Sequence, residues 1–225
     1  MGKRIDLKVG FKCNNNCIFC AQAHKRILGN KSIEELKEAL ENGIKDGYTE
    51  VVFTGGEPTI RRDIIELVRF AHDLGYDLIQ IQTNGRMLSY KSFAEKLVKA
   101  GVTEFSPALH GHNKKIHESQ TRCVGSFKQT LQAIKNLVDL RVPVLTNSVV
   151  TKFNYKYLSQ LVRLLINLKV TQFQLAFVHP VGNAWKYFDR VVPKMSDVAP
   201  YIKESLEIAK ENGYCLLYTS PSPRD

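Results

Sequence analysis

The feature that most constrains this chain is a regular alternation. Apolar runs suited to strands begin near Ile5, Val51, Leu78, Phe105, Val144 and Phe173, and segments with helical periodicity lie between them. The second, third and fourth runs start 27 residues apart, the length of one strand, one helix and two short loops. The segment SIEELKEALENGIKDG shows the pattern. Ile33, Leu36, Leu40 and Ile44 share a helical face, Ser32 is placed to cap it, and Glu35 completes a capping box. Further helical segments start near Asp63 and Ser89 and stop at Gly75 and Gly101; others follow from Ser126 and Asn154, and the last runs from Met195 to Gly213. Six βα units in succession predict parallel strands with right-handed crossovers. Six are too few for a closed eight-stranded barrel, so the expected fold is α/β, a partial (βα)6 barrel of parallel strands with outer helices.

In such a sheet, functional groups gather at the C-terminal ends of the strands. The chain places CNNNCIFC after its first strand, TGGEP after the second, QTNG after the third and LHG after the fourth. The fifth strand carries TNSVVT and the sixth runs into FVHPVGNA, so all six face one mouth. Cys13, Cys17 and Cys20 alone leave three readings open. They suit a structural zinc site completed by His24, a redox pair at Cys17 and Cys20, or an iron–sulfur cluster held by three thiolates.

Composition narrows the setting. A chain of 225 residues that is 44% hydrophobic can bury one full core. An odd count of five cysteines, three of them clustered, is unlike a secreted disulfide framework and suggests a cytoplasmic location. MGKRIDLKVG lacks the apolar stretch of a secretory signal, and the run Leu158 to Leu168 is interrupted by Arg163 and Asn167, so no membrane span is expected. A net charge of +10 allows an anionic partner such as nucleic acid, although no nucleic-acid motif accompanies it. The last eleven residues, CLLYTSPSPRD, abandon the alternation and resemble a translated sequencing adapter. Residues 1–214 are therefore expected to be the core domain, and 215–225 a foreign tail standing where native sequence is missing.

The cysteine spacing C-x-x-x-C-x-x-C, with Phe19 before the third cysteine, and FTGGEPTIRRDI after the second strand together resemble the radical S-adenosylmethionine superfamily. The resemblance runs from about Lys3 to the sixth helix. It implies a 4Fe-4S cluster on Cys13, Cys17 and Cys20 whose open iron chelates S-adenosylmethionine. Reductive cleavage would then give a 5′-deoxyadenosyl radical that abstracts hydrogen from a substrate. It further implies that Gly55 and Gly56 let backbone approach the methionine moiety and that Glu57 accepts from its ammonium. Phe19 would pack by the adenine, and Thr83 and Asn84 would hydrogen-bond the ribose or carboxylate.

On strand four, relatives carry a cofactor-contacting serine where this chain has Ala108; Ser106, two residues earlier on the same face, is expected to substitute. The segment IHESQTRCVGSF resembles the molybdenum-cofactor cyclase and peptide-maturase branch, which implies that Arg122 pairs with the carboxylate of S-adenosylmethionine. Asn147 is a further cofactor candidate, His110 is expected on the substrate side, and Cys123 is read as a small buried residue. The implied substrate is a peptide or cofactor precursor, with an external electron donor such as flavodoxin or ferredoxin. Two alternatives are a radical methyltransferase or RNA-modifying enzyme of the same superfamily, and a zinc- or cluster-stabilised interaction domain without catalysis.

Overall fold

A computed structural model describes residues 2–214 and the backbone of 216–219. The described residues form seven strands: β1 (Arg4–Lys8), β2 (Glu50–Thr54), β3 (Leu78–Thr83), β4 (Glu104–Pro107), β5 (Leu145–Val150), β6 (Gln172–Phe177) and β7 (Leu216–Thr219). The first four pair in order, and β5, β6 and β7 pair in order, every pair parallel. Parallel bridges from Phe105 to Val144 and from Ala108 to Asn147 join the two sets into one curled sheet. The partial α/β barrel anticipated above is what forms. Cys215 and residues 220–225 lie outside the described residues. Of the tail set aside above, only the backbone of Leu216–Thr219 is described, and it runs beside β6.

The helices cover the outer face: α1 (Ile33–Lys45), α2 (Ile64–Asp73), α3 (Lys91–Ala100), α4 (Lys114–Thr121), α5 (Ser126–Asp139), α6 (Leu158–Asn167), and α9 (Met195–Glu211), with short α7 (Asn183–Lys186) and α8 (Phe188–Val191) after β6. The capping box at Ser32 and Glu35 is present in both directions. Asp63 occupies the N-cap position of α2 but makes no side-chain cap, because Arg61 takes its carboxylate through both oxygens at 2.6 and 2.8 Å. α4 has no counterpart in the sequence reading. Its sequence KKIHESQT carries no apolar stripe, and Asn113 starts it by accepting from the Ile116 N–H at 3.0 Å.

Alternation along each strand sorts the side chains by face. Leu7, Phe53, Ile81, Phe105 and Val144 stand in register across five chain segments and are buried against the helices. Truncating a residue of this row, such as Phe53, to alanine would cost about 3–5 kcal/mol. The opposite face is polar. Gln82 pairs with Ser106, Ala108 with Asn147, and Asn147 with Gln174, so an uncharged polar row lines the concave side.

Candidate active site

The segment after β1 crosses the mouth of the sheet and is held by its carbonyls. Arg86 donates to the Asn14 carbonyl, Arg26 to that of Asn15 at 2.7 Å, and Arg122 to that of Asn16 at 2.7 Å. Asn183 takes the next ones, its side-chain amide donating to the Cys17 carbonyl and its backbone N–H to the Cys20 carbonyl, both at 2.9 Å. Two N–H groups of the same loop, Asn16 and Ile18, donate to Thr121 and Gln120 at the end of α4. Consecutive polar groups of a loop without regular structure are thus satisfied one by one, which fixes where its side chains point.

Those side chains face one cavity of about 460 Å³, a size ordinary for small-molecule sites. Cys13, Cys17, Cys20 and Phe19 form one wall; Thr54, Gly55 and Gly56 a second; Gln82, Thr83 and Asn84 a third. The far side is built by Ser106, Ala108 and His110 from β4 and its loop, Asn147 and Val149 from β5, and Gln174 and Ala176 to His179 from β6 and beyond. Of the twelve residues singled out from sequence for cofactor or metal, ten line this space, and Glu57 and Arg122 do not.

Both exceptions have a physical reason. Glu57 is 2% exposed, and its carboxylate is saturated by donors from its own scaffold. One oxygen accepts from the Thr59 N–H at 3.0 Å, the Thr59 hydroxyl and the Thr83 hydroxyl; the other accepts from the Asn84 N–H at 2.6 Å. Burial pushes its pKa up, and these hydrogen bonds oppose the rise. It ties the loops after β2 and β3 together. Arg122, in the left-handed backbone region at φ 51°, sends its guanidinium to Asn16 and lies over the Tyr187 ring, 5.5 Å from its centroid. It braces the cysteine loop from outside.

The glycines of TGGEP are required by that loop as well. A Cβ on Gly55 would run into the Gly10 carbonyl, and one on Gly56 into the Lys12 carbonyl. The Gly56 and Glu57 N–H groups donate to those same two carbonyls at 2.8 Å. Gly55 also adopts φ +120°, which side chains disfavour.

Two of the thiols, those of Cys17 and Cys13, are electrostatically expensive as thiolates. Burial raises the Cys17 thiol, and the neighbouring Cys13 and Cys20 raise it further. Cys13 is raised by burial and eased by the Asn15 N–H, which donates to its sulfur at 3.4 Å. As placed, no three His, Cys, Asp or Glu side chains among the described residues are gathered tightly enough to hold an ion. The donor chemistry nevertheless fits a thiolate-bound metal cluster. Three mutually repelling sulfurs share one cavity, Asn84 Nδ2 approaches Cys13 at 3.8 Å, and no carboxylate lines the space to compete. His24 is not a lining residue, while Cys123 lies behind the loop with its sulfur toward the Asn14 carbonyl.

Sequence reasoning missed Gln22, Arg26, Gln82 and Gln174, all of which line the cavity. Strand alternation could have found Gln82 and Gln174. Gln22 and Arg26 sit in a 3-10 turn over Ala23–Leu28 and its approach, which no periodicity announces.

Residues 7–165 match the family described as the Radical SAM superfamily. Among curated proteins, the probable GTP 3',8-cyclase of Saccharolobus islandicus is 34% identical over 207 residues, covering 88% of this chain and 64% of that protein. The probable GTP 3',8-cyclase of Sulfurisphaera tokodaii is 30% identical over 197 residues, covering 85% and 61%. The chain thus spans less than two thirds of these relatives' length. Among solved structures, Streptococcus suis SuiB bound to S-adenosylmethionine superposes with a TM-score of 0.80 at 19% identity, covering 98% of this chain and 51% of that one. Native anSMEcpe with bound AdoMet and the Kp18Cys peptide gives 0.77 at 19% identity, covering 96% and 63%. Both likenesses are of fold.

Proposed function

The chain belongs to the radical S-adenosylmethionine superfamily, and from that premise we propose that its cavity houses a 4Fe-4S cluster and S-adenosylmethionine and that the protein initiates radical chemistry on a substrate. Cys13, Cys17 and Cys20 would hold the cluster. The chemistry that cluster and S-adenosylmethionine supply together is one-electron cleavage of the C5′–S bond, giving methionine and a 5′-deoxyadenosyl radical that takes a hydrogen atom from the substrate. The observation that carries the reading is convergence. Three cysteines, the Gly-Gly loop after β2 and the Thr-Asn pair after β3 line one cavity at the C-terminal ends of parallel strands.

The chain's own groups then have distinct tasks. Gly55 and Gly56 keep the wall beside the cysteines free of side chains, and Glu57 fixes that wall to Thr83 and Asn84. Ser106 and Asn147 offer polar atoms on the far side, where the Asn147 Oδ1 is buried and without a partner. Phe19 and Val178 give the cavity apolar walls that exclude water from a reactive species. The substrate we favour is a cofactor precursor or a peptide: the sequence relatives named above are probable GTP 3',8-cyclases, and the structural neighbours include one crystallised with a peptide. An external one-electron donor such as flavodoxin or ferredoxin completes the scheme.

The test is anaerobic reconstitution with iron and sulfide, reduction with dithionite, addition of S-adenosylmethionine and assay of 5′-deoxyadenosine. Product that depends on all three cysteines is the expected result. A protein that binds zinc in place of iron and yields no product would overturn the reading and leave the interaction-domain alternative.

A further inference from the structure

His110 stands in the loop that follows β4, inside the cavity wall, and is held by its neighbours through ring, N–H and carbonyl. Its carbonyl accepts from Gln120 Nε2 at 2.7 Å and Asn154 Nδ2 at 3.0 Å. Its own N–H donates to His117 Nδ1 at 3.1 Å. Its ring lies edge-on to Phe19, centroids 4.7 Å apart, and stacks on the His117 ring at 5.8 Å. The Val149 N–H, from β5, points at His110 Nδ1 at 3.2 Å.

That last contact decides the chemistry of the ring. A backbone N–H can only donate, so Nδ1 must be the unprotonated acceptor and the single ring proton of a neutral imidazole sits on Nε2. The same logic applies to His117, whose Nδ1 accepts from the His110 N–H. Burial, and then the neighbouring His117, hold His110 down to a pKa of about 3, so the ring stays neutral. No described residue accepts from His110 Nε2. This atom is not among the enclosed unpartnered ones, and the surface His110 keeps is its share of the cavity wall. The result is a neutral donor with fixed tautomer and orientation, aimed at whatever fills the space beside Phe19.

We infer that His110 Nε2–H is a binding group for the nucleoside half of S-adenosylmethionine, donating to one of its ribose or base acceptors. The inference rests on the function proposed above. It places His110 on the cofactor rather than on the substrate side expected from sequence. Two features favour that choice. His110 touches Phe19, which immediately precedes Cys20, and it lines the cavity together with Ser106 and Asn147, uncharged polar residues of the same β4–β5 wall. A wall of neutral polar residues around a fixed N–H donor suits a ligand rich in uncharged hydroxyls and ring lone pairs, as a nucleoside is.

The experiment uses the reconstituted, cluster-loaded chain and measures equilibrium binding of S-adenosylmethionine and, separately, of methionine. His110→Phe keeps an aromatic ring against Phe19 but has no donor, whereas His110→Gln can place an amide N–H near the position of Nε2. Expected are a five- to tenfold weaker affinity of His110→Phe for S-adenosylmethionine, unchanged methionine binding, and His110→Gln within about twofold of the parent. Unchanged binding by His110→Phe overturns the inference. So does His110→Gln behaving like His110→Phe with the cluster intact, since that would show ring shape to be the requirement. Equal losses for methionine overturn the assignment to the nucleoside half. A parent protein that holds its cluster yet binds no S-adenosylmethionine overturns the function proposed above, and this inference with it.

Discussion

The Glu57 carboxylate accepts from the Thr83 hydroxyl at 2.6 Å, a contact that ties the loop after β2 to the end of β3. The same carboxylate takes the Thr59 and Asn84 N–H groups. Glu57→Ala would leave these donors buried without an acceptor and is expected to cost about 3 kcal/mol. Glu57→Gln keeps the shape but turns an amide N–H toward other donors, so it should fall between the two. Urea unfolding at unchanged m-value is the measurement. An alanine variant within about 1 kcal/mol of the parent would mean that the carboxylate is no latch.

Arg122 offers a direct choice between the sequence reading and the structure. A guanidinium bound to the cofactor carboxylate would make Arg122→Ala lose more than tenfold in affinity for S-adenosylmethionine. A brace on the Asn16 carbonyl predicts an affinity loss below about threefold, together with a stability loss of about 1 kcal/mol from one exposed charge-assisted hydrogen bond. Binding and thermal melting on the same preparation separate the two. The structure predicts the second pattern.

Why the partners of one arginine were not legible while whole strands were comes down to what repeats. Phe53, Ile81 and Phe105 recur at strand spacing because a parallel sheet must bury one face along its whole length, so the sheet was legible. Ser32 and Glu35 announce a helix start because the cap is local to four residues. Arg122 and Asn16 meet across 106 residues, and Glu57 and Thr83 across 26; no local pattern encodes such meetings. The cysteines were legible as a set because all three fall in the one short segment that follows β1. His110 was visible only as a residue near the mouth, since its tautomer is set by a backbone N–H on the neighbouring strand. α4 escaped notice because its stability comes from Asn113 and from contacts with α5 rather than from an apolar stripe.

For the cysteines, substitution should separate ligands from neighbours. Cys13→Ala, Cys17→Ala or Cys20→Ala is expected to abolish four-iron binding and 5′-deoxyadenosine formation, while far-ultraviolet circular dichroism is unchanged because none of the three belongs to the apolar core. Cys123→Ser should retain iron, since its sulfur points at the Asn14 carbonyl and does not line the cavity. Iron and acid-labile sulfide per chain, measured after anaerobic reconstitution, check all four. Loss of iron in the Cys123 variant would contradict the assignment of ligands.

Acidification should reveal the buried histidine pair. Burial holds His117 down to a pKa of about 4, and burial together with His117 holds His110 down to about 3. In the unfolded chain both would titrate near 6.5. Below that value the unfolded chain binds protons that the folded one refuses, so stability is fully present above about pH 6.5 and falls as the pH drops. Each histidine contributes a slope of about 1.4 kcal/mol per pH unit in this window, so the pair should lower stability on the order of 3 kcal/mol between pH 7 and 5. Glu57 acts in the opposite sense as the pH falls through its raised value, because there the folded state takes up the proton first. The difference between the parent and a variant lacking one histidine therefore isolates that histidine's contribution. His117→Asn keeps an acceptor for the His110 N–H and removes one titrating group, so its loss of stability between pH 7 and 5 should be smaller by at least 1 kcal/mol. Urea unfolding at the two pH values measures it, and identical slopes for parent and variant would show that His117 takes up its proton in the folded state as readily as in the unfolded one.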